Sequence, residues 1–357
     1  MKILITGGAG FIGSYVSQAL IRRGDDVIGI DNFQEYYPRI CKEFNLDLIN
    51  LAAGQPVQFS KPEEIQPVYE KLQTYYTQTE SQSGNFTFEE VDIVDFDGLK
   101  SLFEKHKPDA IIHLAAMAGV PLSAKKPRLY TQVNVDGSVN LLELSKEFGI
   151  KQFVFASTAS AYGQKDHKVK EEEGVSFPWS VYGATKSAVE AISYAFHKLF
   201  GMNVAIARIF GPIYGPLQRP YGMLIQRAIN YVHNGKTMTV YGIKGLETAK
   251  DFTYIDDEVD GLLLCLDKNI GYNSYNIGTS DAIPIKDWFA AVGEAMGKPV
   301  KYEIIDADRG DVATSADITK AKTMLGYEPQ MNYKEGVRRQ VEIFMLMPDW
   351  YKTMDNV

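Results

Sequence analysis

Cysteine is nearly missing from this chain. Cys41 and Cys265 stand far apart among 357 residues, so no disulfide framework is possible and a reducing cytoplasm is the expected setting. Histidine is scarce as well. The five, His106, His113, His167, His197 and His233, share no metal-ligand spacing with one another or with a cysteine, and no metal is expected. Cations are the minority charge, with 37 Lys and Arg against 45 Asp and Glu and a net charge of −8. That balance excludes the basic footprint of a general nucleic-acid binder. No run of about 18 apolar residues exists to span a membrane. The apolar N-terminal stretch Met1–Thr6 is cut off by Gly7, too soon for a secretion signal. What remains is 45% hydrophobic and 23% charged residues, the composition of a globular chain long enough for two domains or for one with a large lobe.

The first part of the chain alternates two patterns. Short apolar runs at Lys2–Thr6, Asp26–Ile30, Phe86–Asp92, Ala110–Ala115, Gln152–Ser157 and Val204–Ile209 read as strands. Stretches with apolar residues on one helical face lie between them, at Ser14–Arg23, Gly98–Lys105, Gly137–Phe148 and Ser187–Phe200. Near-continuous apolar strands separated by helices predict an α/β fold, a Rossmann-type doubly wound parallel sheet covered on both faces. The 54 residues between Asp31 and Phe86 exceed a simple crossover. They read as an inserted, partly helical excursion over about 38–85, with Pro62–Gln78 helical. It is either a surface elaboration or a flap or contact surface. Beyond residue 210 glycine and proline cluster, and a smaller α/β lobe over 210–357 is expected beside the 1–209 domain, with a strand returning to the large sheet at about 250–260. The pair Asp256-Asp257 reads as solvated surface.

Gly7-Gly8-Ala9-Gly10-Phe11-Ile12-Gly13 connects the first strand to the first helix. A tight turn at Gly7, backbone approach at Gly10 and close helix–strand packing at Gly13 make a cradle for a dinucleotide pyrophosphate, held by the amides around Phe11 and Ile12 at the helix N-terminus. Asp31 ends the second strand. A carboxylate there bonds ribose hydroxyls and repels a 2′-phosphate, so NAD is the expected cofactor rather than NADP.

Tyr182 and Lys186 are spaced Tyr-x-x-x-Lys, which puts both on one helix face. A free phenol has a pKa of about 10 and is a weak base at neutral pH. A neighbouring ammonium and a positive nicotinamide ring both favour the phenolate, which can then take a proton from a sugar hydroxyl during hydride transfer. Thr158, at the carboxyl end of the fifth strand where ligands of such sheets bind, supplies a hydroxyl to relay that proton. Ser160 lies beside it.

Together the glycine loop, the Tyr182/Lys186 pair and the strand-end Thr158 resemble the extended short-chain dehydrogenase/reductase family, in particular its nucleotide-sugar epimerases and dehydratases. His113-Leu114-Ala115-Ala116, Asn134-Val135-Asp136-Gly137, Asp251-Phe252-Thr253-Tyr254 and Tyr275-Asn276-Ile277-Gly278 extend the likeness over nearly the whole chain. It implies cofactor contacts from Asn32, Asp92, Ile93, Leu114, Ala115 and Ala116. It implies nucleotide-sugar contacts from Ser160, Arg219, Lys250, Arg309 and Asp311, and a homodimer. Dehydratases of the family carry an acid next to the catalytic Thr; here Ala159 and Ser160 follow Thr158, which favours C4 epimerisation of a UDP-sugar. Asp31-Asn32-Phe33-Gln34-Glu35-Tyr36-Tyr37, Met117-Ala118-Gly119-Val120 and Arg219-Pro220 are most similar to UDP-glucuronate 4-epimerases. There, Arg219 would grip the uronate carboxylate. Gly211-Pro212 stands where such enzymes have a carboxylate-holding Thr, so UDP-glucose 4-epimerisation, or another nucleotide-sugar reaction (dehydration, reduction, decarboxylation), is the alternative. A non-catalytic NAD-sensing protein is the alternative of another class, and the intact Tyr182, Lys186 and Thr158 speak against it.

Overall fold

The computed structural model describes residues 1–76, 84–175, 177–219, 223–242, 244–306 and 315–354. Its centre is a seven-stranded sheet of β1 (Lys2–Thr6), β2 (Asp26–Asp31), β3 (Phe86–Glu90), β4 (Ala110–His113), β5 (Gln152–Thr158), β6 (Val204–Ile209) and β7 (Tyr272–Ile277). The order is β7-β6-β5-β4-β1-β2-β3, and every pairing is parallel. Alternate residues serve opposite faces. Ile3, Ile5, Ala110, Ile112 and Val154 join one buried cluster; Leu4, Ile111, Phe153 and Phe155 join the other. Both faces are apolar because helices cover both, which is the doubly wound arrangement the sequence predicts.

Ten longer helices matter for position: α1 (Phe11–Arg22), α2 (Arg39–Ala52), α3 (Pro62–Gln73), α4 (Phe96–His106), α5 (Gly137–Glu147), α6 (Val181–Phe200), α7 (Leu224–His233), α8 (Ile255–Lys268), α9 (Ile285–Met296) and α10 (Tyr333–Leu346). Helix α6 begins six residues before the apolar periodicity starts. Ser180 caps it, its side chain accepting from the Gly183 N–H at 3.0 Å, the preferred chemistry for a helix start.

The strand expected to return at about 250–260 is a correction. Ala249–Lys250 pairs antiparallel with Ile283–Pro284 in a separate two-stranded sheet, residues 255–268 form α8, and the strand that joins the large sheet is β7 beside β6. The pair of acids on α8, expected as solvated surface, is not. Asp257 is buried, not solvated, and its carboxylate accepts the backbone N–H groups of Gln330 and Met331 at 2.7 and 3.1 Å. Asp256 is pushed up to about 6, chiefly by burial.

The excursion between β2 and β3 is described to residue 76 and again from 84; its expected helix runs Pro62–Gln73, and Gln78 lies outside the described residues. Helix α2 packs on α1. Its polar residues are satisfied inside the protein: Asn45 donates to the Ala9 carbonyl at 3.0 Å, and Asp47 accepts the N–H groups of Gln58, Phe59 and Ser60. Helix α3 and the turn after it reach α10, where the Lys71 ammonium and the Tyr75 hydroxyl meet Glu342 at 2.9 and 2.7 Å. The excursion therefore ties the first helix to the last long one.

Glu258 on α8 is fully buried, and its carboxyl oxygens find no partner among the described residues. Burial drives its pKa well above the ordinary value. The folded protein therefore holds this proton more tightly than the unfolded chain, whose glutamate titrates near ~4.3. Its contribution to stability is present at low pH and declines as pH rises from the unfolded value towards the raised folded one. Glu258→Leu is expected to raise the unfolding free energy by about 1–3 kcal/mol at neutral pH and to flatten that slope. Denaturant titrations of both proteins at acid and neutral pH measure it, and a variant no more stable than the parent contradicts it.

Candidate active site

The loop between β1 and α1 is built for close approach. Gly7 sits at φ +71°, and a Cβ on it would stand 3.0 Å from the Ala115 amide nitrogen. A Cβ on Gly13 would stand 2.2 Å from the Gly7 carbonyl oxygen. No side chain caps α1 and its first turn has no acid. An anionic diphosphate fits that end.

A cleft of about 540 Å³ opens from this loop across the carboxyl ends of the strands, the size of a small-molecule site. Gly7, Gly10, Phe11, Ile12, Gly13, Asp31, Asn32, Asp92, Ile93, Leu114, Ala115, Ala116, Thr158, Ser160, Tyr182 and Arg219 all line it. Lys186 lies buried behind its wall. Of the remaining candidates, Lys250 is on the small sheet and does not line the cleft. Arg309 and Asp311 lie outside the described residues.

At the end near β2, Asp31 is buried. Its Oδ1 accepts the Phe33 N–H and the Lys42 ammonium, both at 2.8 Å. Asn32 donates to Asp92 at 2.8 Å, and Asp92 also accepts the Val94 N–H at 2.9 Å. The acids are thus held in place by neighbours, ready for hydroxyl donors. Lys42 belongs to α2 and was not singled out in the sequence, since it lies inside the excursion. Tyr36 and Tyr37 also line the cleft. The Tyr37 hydroxyl is buried without a partner among the described residues. The stretch that carries these tyrosines is legible as a family likeness, but nothing in it says which side chains turn inward.

At the other end, the Thr158 hydroxyl lies close enough to the Tyr182 phenol to lower its pKa and accepts the Ser160 N–H at 3.2 Å. The Lys186 ammonium donates to the Ala156 carbonyl at 2.9 Å and lies 4.6 Å from the Phe155 ring centre. The electrostatics differ from the sequence expectation. Burial raises the Tyr182 phenol above its ordinary value, and Thr158 and Arg219 pull only part of the way back. Burial also drives Lys186 down to about 7, against the pull of Glu190. The ammonium is itself desolvated here, so it favours the phenolate less than its spacing in the sequence implies.

Arg219 stacks its guanidinium 4.5 Å from the Tyr36 ring centre, and its Nε is buried without a partner among the described residues. His113 is a scaffold residue. Its ring meets the Thr6 and Ser138 hydroxyls at 2.7 and 2.9 Å, and burial holds it neutral. Asn134 bonds the Met117 backbone and the Thr185 hydroxyl. No group of three potential metal ligands occurs among the described residues, and no helix among them is long and apolar enough to cross a membrane.

A doubly wound sheet with a glycine cradle, a strand-end acid and a Tyr/Lys pair defines the class of dinucleotide-binding α/β enzymes, and the comparisons narrow it. The chain belongs to the NAD dependent epimerase/dehydratase family, whose pattern matches residues 3–278. It is 36% identical over 340 residues to a UDP-glucuronate 4-epimerase of Thermodesulfobacterium geofontis, covering 95% of this chain and 94% of that one. The structure of a UDP-glucuronic acid 4-epimerase from Bacillus cereus in complex with UDP-glucuronic acid and NAD superposes with a TM-score of 0.79, at 32% identity and 97% and 100% coverage. A UDP-glucose 4-epimerase from Thermotoga maritima with UDP-glucose gives 0.77, at 31% identity and 97% and 99% coverage.

Proposed function

We propose that this chain is an NAD-dependent isomerase that inverts C4 of a UDP-sugar, interconverting UDP-glucuronate and UDP-galacturonate. The observation that carries the reading is the Tyr182 phenol, beside Thr158, on the wall of the same cleft that starts at the Gly7–Gly13 cradle. NAD, held by this cradle and by Asp31, Asn32 and Asp92, would supply a reversible hydride acceptor for the C4 hydrogen. Tyr182 removes the C4 hydroxyl proton, with Thr158 fixing the phenol and relaying the proton. Asp31, Asn32 and Asp92 hold the adenosine end, and the amides at the start of α1 hold the diphosphate. The 4-keto sugar turns over in the cleft and the same phenol protonates it. Ala159 and Ser160 provide no acid for a leaving hydroxyl, so the sugar keeps its oxygens.

Arg219 supports the uronate. Its Nε is a buried donor with no protein acceptor among the described residues, and a guanidinium fork matches a planar carboxylate. Gly211 and Pro212 on the cleft wall bring no hydroxyl to that carboxylate, which favours UDP-glucose as the second reading. Incubation with each sugar, followed by separation of C4 epimers and mass measurement, tests both. Unchanged mass with an inverted C4 is the expected product; loss of water or carbon dioxide would refute the assignment. Arg219→Ala should reduce kcat/KM for UDP-glucuronate by about 10–100-fold and affect UDP-glucose much less. Equal losses on the two substrates would remove Arg219 from carboxylate recognition. The two free cysteines, both buried, suit a cytoplasmic enzyme, and the family likeness suggests a homodimer. In this reading residues 1–209 with β7 hold the cofactor, and most of 210–357 holds the nucleotide-sugar.

A further inference from the structure

Behind the cleft lies a buried ionic cluster that the reaction as described does not use. Helix α6 carries Tyr182, Lys186 and Glu190 at steps of four, so all three share one face. That face is laid along the last residues of β5, rung by rung. Tyr182 meets Thr158, Lys186 donates to the Ala156 carbonyl at 2.9 Å, and Glu190 accepts the Ser157 hydroxyl at 2.5 Å. Arg208, the cross-strand partner of Ser157 on β6, closes the third rung. Its Nη2 and Nε donate to Glu190 at 2.8 and 3.2 Å. Its Nη1 bonds the Tyr162 hydroxyl at 2.8 Å, and that hydroxyl donates to Asn276 on β7 at 2.6 Å.

Ser157, Glu190 and Arg208 are all buried. A buried ion pair is a poor source of stability, since desolvating both charges costs about what their attraction returns, and apolar residues of equal volume serve a core as well. What such a pair does supply is a fixed geometry. Here the geometry is that of β5 at the two positions, Ala156 and Thr158, that hold the lysine and the phenol.

We propose that Glu190 and Arg208 are positioning residues. Through Ser157 they clamp the end of β5 against α6, so that Thr158 and the Ala156 carbonyl stay in register with Tyr182 and Lys186. The inference rests on the epimerase reading above and adds to it Glu190 and Arg208, which do not line the cleft, and Ser157, which lines it but gives its hydroxyl to Glu190. Small displacements of a proton-transfer pair cost rate rather than affinity, because the substrate is gripped elsewhere.

The test uses Ser157→Ala, which leaves the ion pair intact, and Glu190→Gln. Each is purified as the full chain and assayed for kcat, KM, bound NAD per chain and melting temperature. A fall in kcat of about tenfold or more, with KM and bound NAD within about twofold of the parent, is expected for Ser157→Ala even if Glu190→Gln folds poorly. An unchanged kcat in Ser157→Ala overturns the proposal. So does a loss of kcat that merely follows a loss of NAD and of melting temperature. A parent protein without epimerase activity would defeat the functional reading and this inference with it. An active parent with a fully active Ser157→Ala defeats this inference alone.

Discussion

Tyr182→Phe is expected to lower epimerisation by about 10²–10⁴-fold, the range for removal of a positioned general base, while the protein stays folded and keeps its NAD. The ring remains, so the cleft keeps its shape and the edge contact between Tyr130 and Tyr182, with centres 6.4 Å apart. Only the oxygen beside Thr158 is lost. Burial already holds this phenol above its ordinary pKa, and Lys186, near 7, is only partly charged at neutral pH. In the proposed reaction the positive nicotinamide ring would supply the charge that favours phenolate. This has a visible consequence. The pH at which the NAD-bound protein becomes active should lie below the pH at which Tyr182 ionises without cofactor. Full activity in Tyr182→Phe would eliminate the proposed base outright.

Gly13→Ala is expected to do comparable damage by a different route. The new methyl carbon would stand 2.2 Å from the Gly7 carbonyl oxygen and 3.0 Å from Gly8 Cα. Both obstacles are backbone and cannot rotate aside. Either α1 moves away from β1 or the turn at Gly7 opens, and both spoil the cradle whose amides face the cleft. Overpacking of this kind costs about 1–3 kcal/mol of stability. The purified variant should melt lower and carry little NAD, and its turnover should fall in proportion to the lost cofactor. If Gly13→Ala copurified with a full complement of NAD, the close-packing role of that glycine would be disproved. The two variants also separate chemistry from binding: one loses rate with cofactor retained, the other loses the cofactor itself.

The division between what was legible and what was not follows contact range. The strands β1, β2, β4, β5 and β6 can be read directly, because a strand buried on both faces needs a local run of apolar residues and nothing else. The glycine cradle is legible for the same reason: a tight turn, a close approach and a helix start lie within seven consecutive residues. The Tyr182/Lys186 spacing encodes a shared helix face without help from the rest of the chain, although the helix start at Ser180 is hidden by Gly183. That glycine admits the Ser160 carbonyl, 2.6 Å from where its Cβ would be.

Everything that depended on distant partners stayed hidden. Asp257 looks like surface until Gln330 and Met331 present their amides to it. Helix α2 looks irregular because Lys42, Asn45 and Asp47 occupy its inner face, each answered by a group from another element. The charge of Lys186 depends on burial among β4, β5 and α6, and Ser157 acquires its partners only when α6 and β6 close over it. Sequence by itself determined the repeating local units: the fold class, the glycine loop and the shared helix face of Tyr182 and Lys186. Tertiary structure alone decided which polar groups are desolvated, which charges they face and so how strongly they act, because dielectric and distance are properties of the packed whole and not of any one segment.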